Sequence, residues 1–311
     1  MAMGAAHAFR DTEPNNNLVM DAGMNDGSDT AYYLHCGYRV IAIEANPRLV
    51  ATAKRRFAHE IAEGSLTVLN LGIAPFEGVA DFYVASNHQW SSFSREVASR
   101  RGMEVVDTVR VPCAPLATLL RQYGIPYYIK IDIEGYDLFC LESMSKETAP
   151  AYISVEFAHD MQHRLLSRLL ELGYARFKLL NQVTYTDKRP IFDHEVGARI
   201  GRKLYRLRPL RPVIRHLLPR ADFDIFTNRF DWKFAEGTSG PFGEQTYGPW
   251  ISSAEVLRRH AALRPVFKKA GAPFWWDLHA SKEPQMQARS EPLRFMNNER
   301  AQGGTNLADT A

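Results

Sequence analysis

The sequence predicts an α/β fold built on an open parallel sheet, and three observations predict it. Short apolar runs alternate with helical patterns from Leu18 onward, as in successive βαβ units. The first run, Leu18 to Gly27, reads Leu-Val-Met-Asp-Ala-Gly-Met-Asn-Asp-Gly and ends in two glycines four positions apart. Such glycines let the end of a first strand approach a ligand closely. A later run, Tyr127 to Gly135, is apolar except for Lys130 and ends in Asp132 and Glu134. With 311 residues, 45% of them hydrophobic and 23% charged, the chain can bury one large α/β domain with insertions, or two domains.

The elements follow in order. Residues 1–16 form a polar N-terminal extension. Ser28 to Cys36 is a helix whose positive end faces the glycine loop. Strand two, Tyr38 to Ile43, ends in Glu44, 17 residues beyond Gly27. Asn46-Pro47 starts a helix that continues from Leu49 to Ile61, with Lys54, Arg55 and Arg56 on its polar face. Leu66 to Ile73 is strand three, and Phe82 to Ala85, after Gly78, is expected to form a hairpin with its end.

Ser86 to Ser94 is a polar loop carrying His88, Trp90, Ser91 and Ser92, of the kind that closes on ligands. Val105 to Val111 alternates as a strand, and Leu116 to Tyr123 is a helix stopped by Gly124 and Pro126. On a strand running to Gly135, Asp132 and Glu134 share a face. Two buried like charges need an answer: Lys130, a ligand ammonium, a metal or a shared proton.

A helix from Tyr136 to Ser145 leads to strand five, Tyr152 to Phe157, which brings Glu156 and His159 to the same edge. Gln162 to Leu172 is a one-faced leucine helix closed by Gly173, and Tyr174 to Asn181 is strand six. The last strand is Phe274 to Ala280, leaving an insertion of 86 residues, 187–272, over the ligand edge. Within it, Arg199 to Arg220 holds eight Lys or Arg and no acid. That segment could meet an anionic membrane or a lipid-linked substrate, or pack as a basic lid. Gly237 to Trp250 is rich in glycine and aromatics, suited either to stacking on sugars or to a packed turn. Residues 281–311 read as a disordered tail.

Composition excludes several classes. A net charge of +3 is too small to argue nucleic-acid binding from the whole chain. Cys36, Cys113 and Cys140 are scattered without metal spacing, which suggests a reducing compartment. With no signal-like start and no apolar run of membrane-spanning length, a cytoplasmic protein is expected. A dinucleotide fingerprint would need glycine where Asn25 and Ser28 stand, and the Gly-Lys-Ser/Thr of a phosphate loop is absent from the first loop.

Asp-x-Gly-x-Asn-x-Gly resembles instead the first motif of class I S-adenosylmethionine (SAM) methyltransferases. Taken with Ile-Glu-Ala-Asn-Pro, the Ser-Ser-Phe loop, Ile-Lys-Ile-Asp-Ile-Glu-Gly-Tyr and Ile-Ser-Val-Glu-Phe, it resembles the FkbM family over residues 17 to 181. The resemblance implies a doubly wound, Rossmann-like seven-stranded sheet with its last strand antiparallel, split between residues 17–186 and 273–280. It implies SAM as cofactor and methyl transfer to a hydroxyl oxygen of a sugar, glycan or natural product. Asp21, Gly23, Asn25 and Gly27 then carry the cofactor loop, and Glu44 meets the ribose in a motif that adds Asn46 to the cofactor set. Ile73 flanks the adenine, and Asp132 and Glu134 flank the reacting methyl.

A sugar hydroxyl needs a base or a metal to become a nucleophile. His159 is the expected base, Asp132 orients cofactor or substrate, and His88 is the second choice. Taken alone, each histidine reads first as a structural or surface imidazole. Asp132 and Glu156 offer hard ligands for Mg²⁺ as a variant, but no metal is expected. Asp132-Ile133-Glu134 stands where an Asn-Pro-Pro-Tyr-like motif would mark a planar-nitrogen acceptor, so no nucleic-acid partner is expected. The alternative is a non-catalytic SAM-fold module that presents a glycan or a lipid-linked partner.

Overall fold

The computed structural model describes residues 15–157, 161–182, 232–235, 237–246, 248–270 and 275–282. In chain order the first half contains β1 (Asn15–Ala22), α1 (Ser28–His35), β2 (Arg39–Glu44), α2 (Pro47–Arg56), α3 (Ala58–Ala62), β3 (Leu66–Asn70), β4 (Gly72–Ile73), β5 (Gly78–Ala85), α4 (Arg95–Ala98) and β6 (Val105–Ala114). The second half contains α5 (Leu116–Tyr123), β7 (Pro126–Ile131), α6 (Asp137–Glu142), β8 (Tyr152–Glu156), α7 (Gln162–Glu171), β9 (Arg176–Asn181), α8 (Ser253–Ala270) and β10 (Trp276–Ser281).

Seven strands form the main sheet in the order β3-β2-β1-β7-β8-β10-β9. Only β10 runs antiparallel to its neighbours, β8 and β9. This is the expected doubly wound sheet with its last strand reversed. The order of strands turns back at β1 and β7, and in open α/β sheets the ligand crevice lies outside the carboxyl ends at such a point.

Two apolar layers cover the sheet. One face packs under α5, α6, α7 and α8, whose inward residues include Leu119, Leu141, Leu169 and Val256. The other lies under α1 and α2 near β1 and β2, and farther along under residues 232–250. There Phe242 stacks on Tyr128 with ring centroids 3.9 Å apart and 8° between planes. A side chain on Gly243 would stand 3.3 Å from the Tyr152 ring. Around Phe242 and Gly243 the glycine-aromatic segment therefore packs on the sheet face, and the Phe242 ring serves the core.

Several local expectations are corrected. Strand three stops at Asn70, because the Asn70 amide donates to the carbonyls of Glu44 and Ala45 and ends the pairing there. Gly72–Ile73 pairs instead with β6 in a separate three-stranded sheet, β4-β6-β5. The partner of β5 is β6, from Gly78 opposite Cys113 to Ala85 opposite Val105, and not the end of strand three. The helix expected through Ile61 breaks at Phe57, which leaves helical geometry at φ −107° and ψ 31° and buries its ring. The helix after Gly135 is confined to Asp137–Glu142, and the last strand begins at Trp276.

β7 ends at Ile131, so strand alternation does not reach Glu134. Glu134 adopts a left-handed conformation at φ 49°, and the face shared with Asp132 on a strand is not what brings the two together. The basic segment 199–220, the N-terminal residues 1–14 and the tail 283–311 lie outside the described residues. No helix among the described residues is long and apolar enough to cross a membrane.

Candidate active site

The loops after β1, β2, β7 and β8, together with the segment from β4 to β6, wall a cleft at the carboxyl edge of the sheet. Gly23, Asn25, Glu44, Ile73, Asp132 and Glu134 all line it, as does His88.

The glycine loop is shaped by its neighbours in the fold. Gly23 has φ 87°, and a side-chain carbon there would sit 1.9 Å from the Asp132 carbonyl oxygen. Only glycine lets the two loops touch. Gly27 caps α1 at φ 79° and lies against the Phe57 ring, 2.7 Å from where a Cβ would stand, so it supports the loop without reaching the cleft. Asp21 is likewise away from the cleft wall, fully buried, and accepts a 2.6 Å hydrogen bond from Thr30 Oγ1.

Beneath the loop lies a buried cation. Lys130 Nζ donates to the Gly23 carbonyl at 3.0 Å and stands 3.4 Å from both Asp21 and Asp29 and 3.9 Å from Asp132. Burial opposes its charge, but Asp21, Asp29, Asp132 and Asp277 outweigh that and hold its pKa well above the usual lysine value. Asp29 in turn is raised to about 6 by burial, against the pull of Lys130. It accepts the backbone N–H groups of Ser239 and Gly240, and so ties residues 239–240 to the start of α1. Of the two acids expected to need a partner, Asp132 has Lys130 at 3.9 Å, farther than Asp21 and Asp29, while Glu134 pairs with Arg100.

Glu44 sits at the end of β2. One carboxylate oxygen accepts from the Asn25 N–H at 2.8 Å and the other from the Asn46 N–H at 2.7 Å. Burial raises its pKa to about 7, and these two hydrogen bonds limit the rise. Asn46 itself caps α2, accepting from the Arg48 N–H at 3.0 Å. Its side chain therefore serves the helix.

The loop after β5 lies over the cleft. His88 Nδ1 is 2.6 Å from Asn25 Oδ1, which links that loop to the glycine loop. Ser92 Oγ donates to the Glu134 carbonyl at 2.9 Å, while Ser91 Oγ accepts from the Ala85 N–H. Phe93 packs edge-on against Phe82 and Tyr136, and a side chain on Gly72 would collide with its ring. Arg100 places its guanidinium 5.0 Å from the Trp90 ring centroid and pairs with Glu134 at 2.5 Å.

The far end of the cleft is acidic. Oxygens of Asp132, Glu134 and Glu156 lie within 4.8 Å of one another. Burial, reinforced by Glu156 and Asp132, raises Glu134 to about 9. Behind them Asp277, paired in register with Glu156, is raised to about 8 by burial and then by the charge of Asp132. Asp137, at the start of α6, is raised well above its usual value by burial and by Glu156.

His159 lies outside the described residues. Arg100, Asp277, Gln182 and Trp275 are site or near-site residues that sequence reasoning did not single out. A lone arginine in a loop carries no pattern, and the acid of Phe-Trp-Trp-Asp reads as one polar position in a strand. The one available signal for Asp277 was a carboxylate inside an otherwise apolar run.

The sequence matches the methyltransferase FkbM domain over residues 21–175. Over 65 residues it is 40% identical to a probable ribosomal RNA small subunit methyltransferase A from Methanospirillum hungatei JF-1, a match covering 19% of this chain and 25% of that protein. The chain thus spans about a quarter of the length of that curated relative. Among solved structures, precorrin-6y C5,15-methyltransferase from Geobacter metallireducens GS-15 aligns with TM-score 0.31 and 13% identity, covering 55% of this chain and 72% of that one. A precorrin 8w decarboxylase from Methanobacterium thermoautotrophicum aligns with TM-score 0.32 and 16% identity, covering 54% and 69%. The seven-stranded sheet with its reversed last strand, the cleft at its switch point and the matched domain have one reading: the chain belongs to the FkbM methyltransferase family.

Proposed function

We propose that the protein transfers a methyl group from SAM to a hydroxyl oxygen of a sugar, glycan or natural product. The observation that carries this reading is Glu44, a buried carboxylate in the same cleft as the acidic end formed by Asp132, Glu134 and Glu156. Each Glu44 oxygen accepts one backbone N–H and keeps a lone pair for one of two adjacent ribose hydroxyls. Ala45, Leu71, Ile73 and Phe93 offer an apolar slot beside it for a planar base. These residues fit an adenosine group.

Bound SAM would supply an electrophilic methyl on a sulfonium, open to in-line attack by an acceptor oxygen. The chain's part is to hold the reactants in line and to take the hydroxyl proton. With Nδ1–H donated to Asn25 Oδ1, His88 keeps a lone pair on Nε2 and can accept that proton. His159 is the other imidazole in the reading. Asp132, beside the glycine loop, orients the reacting groups. The acidic acceptor end repels phosphates, which favours a hydroxyl on a neutral or cationic acceptor over a polynucleotide.

Titration calorimetry with S-adenosylhomocysteine on wild type and Glu44→Ala tests the cofactor. Micromolar binding by wild type is expected, with a loss of about 2 kcal/mol, roughly 30-fold, in the variant. No binding by wild type would remove the proposal.

A further inference from the structure

We propose that Trp275 and Gln182 form the acceptor subsite of the cleft and that they receive a neutral sugar ring. This assignment deepens the methyl-transfer reading and rests on it. The sheet divides the cleft. Glu44 ends β2, and Asp132 follows β7, two strands farther along the order β2-β1-β7-β8-β10-β9. At about 4.8 Å per strand, the span from ribose to reacting methyl takes up about 10 Å of the edge. What remains lies over β8, β10 and β9, where Trp275 and Gln182 line the cleft.

Both residues are held by the sheet. The Trp275 carbonyl accepts the Gln182 N–H at 3.0 Å and the Asn181 side-chain amide at 3.1 Å. This continues the β10–β9 pairing by one step and sets residues 275 and 182 opposite each other. Gln182 is 9% exposed, and its Nε2 donates to Asp277 Oδ1 at 2.8 Å. That bond orients the amide, and Oε1, which has no partner among the described residues, is left to accept a hydroxyl from the cleft. Trp275 differs from the other described tryptophans. Trp90 lies under Arg100, Trp232 packs on Tyr32 and His35, Trp250 packs on Tyr152, and Trp276 is buried in the core. Trp275 is half-buried in the cleft wall, and among the described residues nothing stacks on its ring or bonds to its indole N–H.

A flat apolar face beside an oriented amide suits a pyranose. The C–H face of the sugar covers the indole, while hydroxyls at its edge meet Gln182 and, toward β8, Glu156 in the same cleft. Charge narrows the class further. Arg100 is the one Lys or Arg among the described residues that line the cleft, and it is bound to Glu134. A uronate or a sugar phosphate would meet Asp132, Glu134 and Glu156 with the single cation already paired, so the ring is neutral.

Saturation-transfer NMR in the presence of S-adenosylhomocysteine tests the subsite, with the methyl glycosides of glucose, mannose, galactose and glucuronate as probes. Wild type should transfer saturation to the ring protons of a neutral glycoside and not to the glucuronate. Trp275→Ala should weaken that glycoside about tenfold, with circular dichroism showing the variant folded and calorimetry showing unchanged affinity for S-adenosylhomocysteine. Trp275→Leu, which stays apolar but loses the flat face, serves if Trp275→Ala does not fold. No transfer to any neutral glycoside, equal transfer in the folded variant, or a preference for glucuronate overturns the proposal. A glycoside signal without S-adenosylhomocysteine binding would keep the sugar site and sink the methyl-transfer reading alone. The reverse result would keep that reading and sink the subsite.

Discussion

The two ends of the cleft are built from different materials. At the glycine-loop end the backbone sets the shape: the N–H groups of Asn25 and Asn46 hold Glu44, and the Gly23 carbonyl is held by Lys130. At the acidic end side chains set it, with three carboxylates converging from three places and Arg100 bound to one of them. A surface made of backbone tolerates no added atom, whereas a surface made of side chains tolerates shape-preserving changes and responds to charge.

The largest expected effect breaks the first end. Gly23→Ala puts a methyl 1.9 Å from the Asp132 carbonyl and forces alanine into φ 87°. The left-handed conformation costs about 1–2 kcal/mol and the overlap about 1–3 more, so denaturant unfolding should show a loss of about 3 kcal/mol. The glycine loop and the Asp132 turn must move apart, so S-adenosylhomocysteine binding should fall below detection. A variant that binds like wild type would mean the contact between the two loops is dispensable.

Lys130→Met probes the group that joins the ends. It leaves Asp21 and Asp29 buried without their cation, and removing one partner of a buried pair costs about 3–5 kcal/mol. Part of that cost can be absorbed if Asp29, already raised to about 6, takes up a proton. The loss should therefore be larger at pH 8 than at pH 5.5. Equal losses at both would show that Asp29 is not the group left exposed by the change.

The same contrast explains what could be read in the sequence. The sheet was legible because each strand is a local apolar run: Val19 to Ala22, Val40 to Ile43 and Tyr152 to Val155 fall where periodicity put them. Glu44 was legible because its spacing from Gly27 is a property of one strand–helix–strand unit. The small sheet was not, since the pairing of β5 with β6 depends on where the chain returns after 19 residues of loop and short helix. The acidic end was half legible. Asp132 and Glu156 sit at strand ends, but Glu134 reaches them through a left-handed turn that strand alternation cannot forecast. Asp277 arrives from β10, more than 100 residues away from Glu156 in the chain. Asp29 is a first-turn acid of α1, and only the docking of Ser239 and Gly240 shows what it holds.

The smallest expected effects come from pH, and they separate the two ends without mutation. Glu134 at about 9 and Asp277 at about 8 hold protons in the folded chain that ordinary carboxylates in the unfolded chain have lost near pH 4. The folded state binds more protons, so stability falls as pH rises through these values. Between about pH 7.5 and 9, His279, held near 3 by burial, and Asp29 no longer titrate, and thermal unfolding should shift down by a few degrees. The glycine-loop end should move the other way. Glu44 must be ionised to accept two hydroxyl donors, and with a value of about 7 its charged fraction grows about tenfold from pH 6 to 8. Affinity for S-adenosylhomocysteine should rise by about that factor and then level, and Glu44→Gln should flatten the binding curve while leaving the decline in stability in place. A flat wild-type binding curve over that range would show that a group other than Glu44 governs the ligand.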